Sequence, residues 1–333
     1  MGEEVLVQRL VAFLRRRWRC RGLDPGDDAF CAGGGWLGSL VLNIDGGSLA
    51  SSRWPWMGWR DVGWVWAVAA MSDLVAKAAW PLVLAASLGV EEEMAGAAVE
   101  VVEGVAKAAE RHGAWLGGGD LNGCPRGCGG WIDVAALGAA APPWGLLARR
   151  PGPGDLVYTT VGRHGVGWAA ARSSELGLPL PSLEPRVAAE VARPVARLGF
   201  AELASRLPRG CLTGSADVSD GLGYTLLLLS RAAGAPLLLE RPPSLHPGVE
   251  GLLGRLGGDV LEAALEGGQE YEIVFTIRPS CARLLEEEAS ATRLRVERIG
   301  RLLGAGAPAV LGPGGEALRV RRWDSVRGGM VTV

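Results

Sequence analysis

The sequence predicts an α/β (α+β) protein built of two domains, and three observations predict it. Strand-like and helix-like segments mix in both halves of the chain. Its 333 residues suggest two domains rather than one. A stretch rich in proline and glycine, A-A-A-P-P-W-G-L-L-A-R-R-P-G-P-G-D at 139–155, cannot continue a regular element and reads as an interdomain connection. The expected division is 1–145 and 146–333.

The elements follow in order. Residues 3–19 form an amphipathic pattern that ends in an arginine run, expected to be helical. The turn G-L-D-P-G-D-D-A-F follows, then a short strand from Ser39 to Ile44 that ends at Asp45. The tryptophan-rich S-S-R-W-P-W-M-G-W-R-D-V-G-W-V-W leads into a helix through Asp73 and Lys77. P-L-V-L-A-A-S-L suits a strand, Glu91 to His112 a long helix, and G-G-G-D-L-N-G a loop before a strand from Trp131. In the second half L-V-Y-T-T-V, Pro236 to Leu239 and E-Y-E-I-V-F-T-I read as strands. Between the first two of these, A-D-V-S-D-G-L opens a leucine-rich helix.

Composition excludes several classes. A formal net charge of −2 argues against a nucleic-acid binder, which needs a basic excess. The longest apolar region, Val62 to Val90, is broken by Asp73, Lys77 and Pro81. A membrane span needs ~20 mostly uncharged residues, so this region is expected to be buried helix and strand. The N-terminus is acidic before it is apolar, the wrong order for a signal peptide, and a cytoplasmic location is expected. The six cysteines do not form a secreted framework. Cys124 and Cys128 have the spacing of half a zinc site, without a second Cys/His pair to complete it.

The chemistry lies in the acids. Asp27, Asp28, Asp45, Asp73, Asp120, Asp217 and Asp220 all sit in small-residue turns beside apolar segments. If the turns converge, unpaired carboxylates repel one another strongly, and hard divalent cations such as Mg2+ resolve the conflict while engaging phosphate oxygens. The alternative is that each aspartate caps a helix or turn. Neither lysine follows a glycine, so there is no Walker A loop. H-R-D and D-F-G are absent, and G-R-H-G-V-G at 162–167 lacks the Rossmann spacing. His112, His164 and His246 are expected to be surface or structural groups rather than catalytic ones.

The ordered set G-D-D-A-F, N-I-D, M-S-D-L-V-A, G-G-D, A-D-V-S-D-G-L and G-G-Q-E-Y-E-I closely resembles thiamine-monophosphate kinase. That family shares a superfamily with aminoimidazole-ribonucleotide synthetase, selenophosphate synthetase and the hydrogenase-maturation dehydratase. The resemblance runs from Leu23 to Asp324. It implies an N-terminal mixed sheet that pairs across a homodimer, a C-terminal α/β sandwich, and ATP bound between the domains. By position it implies Mg2+ ligands at Asp28, Asp45, Asp73, Asp120, Asp217 and Asp220. It also implies ATP contacts at Gly119, Asp120, Ser219 and an arginine, Arg149 in preference to Arg150. The implied reaction is ATP- and Mg2+-dependent phosphorylation of thiamine monophosphate to thiamine diphosphate.

The acceptor side departs from the pattern. Ser52 stands at the family's substrate-contacting histidine, Gln269 at a glutamate, Ile44 at a small polar residue and Lys77 at a methionine, while Trp323 matches a substrate-contacting aromatic. Trp54, Trp56, Trp59, Trp64 and Trp66 crowd the same region. They would either stack on a heteroaromatic substrate or pack the core or subunit interface. Two other readings therefore stand beside the kinase: a paralogue that phosphorylates or activates a different small acceptor, and a nucleotide-binding dimer without turnover.

Overall fold

A computed structural model describes residues 3–15, 23–24, 26–33, 40–142, 145–324 and 329–333. The first sheet has five strands: β1 (Phe30–Gly33), β2 (Leu40–Ser48), β3 (Ala79–Val90), β4 (Trp115–Gly123) and β5 (Trp131–Ala140). Their order is β1-β2-β5-β3-β4, antiparallel except for the β3–β4 pair. Helix α1 (Glu3–Arg15) precedes the sheet; residues 16–19 of the expected helix lie outside the described residues.

One face of this sheet is covered by α2 (Trp59–Ala76) and α3 (Ala95–Arg111). Helix α2 is apolar around most of its circumference, as a helix held between a sheet and a second helix must be. The two helices approach closely at reciprocal glycines. A side chain on Gly63 would run into the Val101 carbonyl, and one on Gly104 into the Arg60 carbonyl. The single helix expected from Glu91 is instead a 3-10 turn, Glu92–Met94, followed by α3.

The second sheet contains β6 (Leu156–Thr160), β7 (Leu212–Asp217), β8 (Leu237–Leu239), β9 (Ile273–Ile277), β10 (Val296–Leu302) and β11 (Val310–Leu311). Its order is β11-β8-β10-β6-β9-β7, with only β11–β8 parallel. Helices α4 (Val166–Glu175), α5 (Leu180–Leu183), α6 (Pro185–Ala192) and α7 (Gly199–Arg206) separate β6 from β7, and α8 (Leu222–Ala233) follows β7. Leu222, Leu226 and Leu229 of α8 pack with Val157, Leu237, Leu239 and Val274 of the sheet in one core. A two-stranded ribbon, β12 (Arg321–Asp324) with β13 (Gly329–Thr332), lies beyond.

Three sequence expectations are corrected. The stretch 117–123 is not a loop but most of the edge strand β4. Its glycines fit because a side chain on Gly119 would strike the Ala86 carbonyl. Strand β2 does not stop at Asp45 but continues to Ser48, which puts Asp45 in mid-strand. Strand β3 begins before Pro81, which is accommodated at a register shift between Pro81 and Val83. No described helix is long and apolar enough to cross a membrane.

Candidate active site

Carboxylates from both sheets meet where the C-terminal half of α2 packs against β7. Asp28 comes from the turn before β1, Asp45 from β2, Asp73 from α2, Asp217 from the end of β7 and Asp220 from the turn before α8. They are close enough to repel: Asp217 feels Asp28, Asp45 and Asp220, and Asp73 feels Asp217, Asp28 and Asp45. Capping does not explain them. Asp45 is in mid-strand and Asp73 within a helix, while α8 starts at Gly221 with no side-chain cap.

The site's hydrogen bonds join the two halves. Asn43 Nδ2 donates to Asp73 Oδ2, and Ser72 Oγ donates to Asp217 Oδ2 at 2.7 Å. Lys77 Nζ donates to Asp27 Oδ1 at 2.6 Å and to the Ser215 carbonyl at 2.8 Å, and stands 2.9 Å from Asp28 Oδ2. Arg149 donates its backbone N–H to Asp27 Oδ2 at 3.0 Å and its guanidinium to Asp28 Oδ1. Arg150, the alternative arginine, instead pairs with Asp24 at the exposed surface. Ser72 lies inside the M-S-D-L-V-A motif and Lys77 just after it, yet the motif gives neither a role at the site; a signal exists, since Lys77 follows Asp73 by four residues and the two share a helix face.

Burial, with repulsion from Asp220 and Asp133, pushes the Asp45 carboxyl up to about 7. Burial, with repulsion from Asp28, Asp45 and Asp220, does the same for Asp217, also to about 7. Burial moves Asp220 to about 6 despite Arg322, and Asp73 well above the usual range. Asp27 is shifted the other way: burial would raise it, but Lys77 and Arg149 outweigh burial and hold it low. Between the unfolded value of 3.8 and about 7 the folded chain therefore holds extra protons at Asp45 and Asp217. Stability from these groups is full below the unfolded value and is lost as pH rises through the folded one. In chelator, the thermal midpoint is expected to fall between about pH 4 and 7 more in the wild type than in Asp45→Asn. Parallel profiles would refute the placement of this charge.

The donor set suits a hard cation. All the clustered acidic groups are carboxylates, and buried Asp28 Oδ2 accepts no aligned hydrogen bond although Lys77 Nζ lies 2.9 Å away. Among the described residues no three carboxylate, histidine or cysteine side chains form a ready-made cage.

The remaining expected residues divide. Asp120 is not with the other five acids. Strand register aligns Asp45, Val134, Ala86 and Gly119 in one row, so Gly119 lies three strands, ~14 Å, from Asp45. Asp120 belongs to the next row, is exposed and accepts from Asn122 Nδ2 at 2.8 Å. Gly119 and Asp120 line a separate open cavity of about 680 Å3 between α3 and β4. Ser219 is exposed beside the acids, and its carbonyl accepts from Gln269 N at 2.7 Å. Gln269 thus reaches the edge of the site, with a left-handed backbone at φ 56°. Ser52 spends its hydroxyl on the Ser48 carbonyl at 2.6 Å. The Trp323 side chain lies outside the described residues.

The tryptophans pack. All five lie against a buried core shared by the first sheet and residues of the second half such as Phe200 and Phe275. Trp54 and Trp56 are stacked at 5.5 Å and packed also against the core around α4 and α6, and Trp64 Nε1 donates to the Pro194 carbonyl at 2.6 Å. Cys124 and Cys128 form a disulfide instead of half a zinc site, and Cys211 pairs with Cys281. The histidines are structural, and two are buried: His112 accepts from Ala196 N, and His164 pairs with Glu270.

Comparison with known proteins agrees with this architecture. The family described as AIR synthase related protein, N-terminal domain, matches residues 26–140. A thiamine-monophosphate kinase from Pyrobaculum calidifontis is 33% identical over 261 residues, spanning 78% of this chain and 80% of that protein. This chain belongs to the thiamine-monophosphate kinase family. A crystal structure of a protein from Thermus thermophilus superposes with a TM-score of 0.84 at 32% identity, covering 96% of this chain and 98% of that one. The structure of AaThiL complexed with AMPPCP and TMP shares the fold, with a TM-score of 0.80 at 20% identity over 97% and 96% of the two chains.

Within the thiamine-monophosphate kinase family, this member's departures now have physical surroundings. Ile44 points to the opposite face of β2 and is 59% exposed, so its side chain takes no part in the acidic cleft. Lys77, by contrast, is wholly buried within the cleft.

Proposed function

We propose that this chain is a Mg2+-dependent kinase that transfers the γ-phosphoryl group of ATP to thiamine monophosphate, giving thiamine diphosphate and ADP. The observation that carries this reading is the meeting of Asp28, Asp45, Asp73, Asp217 and Asp220 beside Arg149, from elements of both sheets. These five carboxylates would hold the cations, with Asp120 serving nucleotide from β4. The ions would supply charge neutralisation and alignment of the reacting phosphates. An acceptor phosphate with a second pKa near 6 is already largely deprotonated at neutral pH. No general base is then required, and positioning with charge stabilisation carries the transfer.

In this reading Arg149, Ser219, Gly119 and Asp120 contact ATP, and Gln269 with Trp323 borders the acceptor. Arg149 is held on Asp28, so its guanidinium is fixed before substrate arrives. The same reading divides the chain near 145/146. It makes the molecule a homodimer through the exposed β4 edge, where Trp115 and Leu121 are 61% and 63% exposed. The test is incubation of purified protein with ATP, thiamine monophosphate and excess Mg2+. Thiamine diphosphate and ADP in equal amounts are expected, and neither forms in chelator. No diphosphate product under metal excess would overturn the assignment. One observation favours a second acceptor: the Ser52 hydroxyl, at the family's histidine position, is already bound to Ser48. ATP consumption on another phosphorylated heterocycle, but not on thiamine monophosphate, would select that reading.

A further inference from the structure

Of the 34 lysines and arginines in the chain, only Lys77 and Lys107 are lysine. Lys77 is the C-cap residue of α2, and its side chain is 0% exposed. Its ammonium reaches three oxygens: Asp27 Oδ1 at 2.6 Å, the Ser215 carbonyl at 2.8 Å and Asp28 Oδ2 at 2.9 Å. An ammonium offers three N–H groups around one compact charge, whereas a guanidinium spreads five over a planar fork. In a chain that uses arginine almost throughout, lysine is the residue that suits a compact charge in a closed space, hydrogen-bonded to Asp27 and Ser215 and ion-paired with Asp28 Oδ2. Arg149 is ion-paired to the same two aspartates.

The cleft is therefore uneven. Among the described residues, Asp27 and Asp28 are ion-paired to buried basic groups, whereas no ion pair joins Asp45, Asp73 or Asp217 to any basic side chain. A buried carboxylate without a counter-charge is costly, so the acids on this side of the cleft ionise fully only with a counter-charge from outside the chain and otherwise keep protons. The Asp27–Asp28 side takes its own from Lys77.

We propose that Lys77 is a resident cation of the acidic cleft. It is a positioning residue that fixes the Asp27–Asp28 turn against β7 before any divalent ion binds. The inference rests on reading the cleft as a metal site. It gives a meaning to the departure from methionine at this position: a family member with an apolar side chain here must rely more on bound metal to hold the turn.

The experiment is thermal unfolding of the full chain in chelator and in saturating Mg2+, for wild type, Lys77→Met and the double variant Asp27→Asn/Lys77→Met. In chelator the Lys77→Met midpoint is expected to fall by about 5–10 °C. Mg2+ should restore at least half of that loss, so the metal-induced increment is larger than in wild type. The double variant, which removes both charges of the pair, should regain most of the chelated midpoint. Equal metal increments in wild type and Lys77→Met would overturn the proposal, since a purely structural lysine would lower both midpoints alike. If Lys77→Met does not fold, the double variant decides: failure to recover it means packing rather than charge. Absence of any Mg2+ shift in all three proteins would overturn the metal reading itself, and the proposal with it.

Discussion

Asp217→Asn is expected to abolish phosphoryl transfer while making the metal-free protein more stable. Asp217 is buried at the end of β7, accepts from Ser72, and is repelled by Asp28, Asp45 and Asp220. Asparagine keeps the shape and an acceptor for Ser72 but removes one negative charge. In chelator the repulsion is relieved, and the midpoint should rise by a few degrees. With Mg2+ and ATP, the same change removes a ligand charge where the phosphates must be neutralised. Loss of several kcal/mol of metal-assisted stabilisation corresponds to a rate fall of about 10^3-fold or more. Opposite movements of stability and turnover are the signature of a site strained for function. Wild-type turnover in this variant would refute the assignment of Asp217 to metal, and a lowered chelated midpoint would refute the repulsion.

The largest stability effect is expected at Glu272, just before β9 and outside the acidic cleft. Its fully buried carboxylate accepts from Arg163 N at 2.8 Å, Arg197 Nε at 2.7 Å and Thr160 Oγ1, and Thr160 Oγ1 in turn accepts from Ile273 N. Burial alone would raise this carboxyl, but Arg197 and His164 outweigh burial and hold it below its usual range. Glu272→Gln leaves the Arg197 guanidinium without its counter-charge, whereas the Arg163 guanidinium keeps Glu190. Breaking a buried pair from one side costs about 3–5 kcal/mol, which denaturant unfolding at neutral pH will read directly. The same network frames Gln269 and Tyr271, both left-handed at φ 56° and 54°. Relaxation there should also raise KM for the acceptor. A loss below about 1 kcal/mol, the value of an ordinary hydrogen bond, would show that the network is not acting as a charged unit.

The acidic turns were legible because each carries its chemistry in adjacent residues. A-D-V-S-D-G-L holds two acids and a serine within one turn, and the protein places Asp217, Ser219 and Asp220 side by side. Asp120 was harder. Its neighbouring glycines favour a loop on propensity alone, and only the close approach of β3 makes them strand residues. The pairing of His164 with Glu270 spans 106 positions of sequence, a distance at which no local pattern speaks. The tryptophans were ambiguous because an indole suits both ligand stacking and core packing, and only tertiary contacts choose. Lys77 marked a departure from the family pattern, but its three oxygen partners come from two other segments and needed the fold.

The contacts beneath the carboxylates also constrain how the molecule can move. Ser72 to Asp217, Lys77 to Ser215 and Ser215 Oγ to the Ala76 carbonyl all tie the end of α2 to β7. Such a seam resists a hinge that would part the two sheets along this line, because opening it would break these three buried hydrogen bonds together. In the proposed kinase, exchange of spent nucleotide would then proceed by yielding of peripheral segments, with the floor of the acidic cleft staying fixed from one turnover to the next.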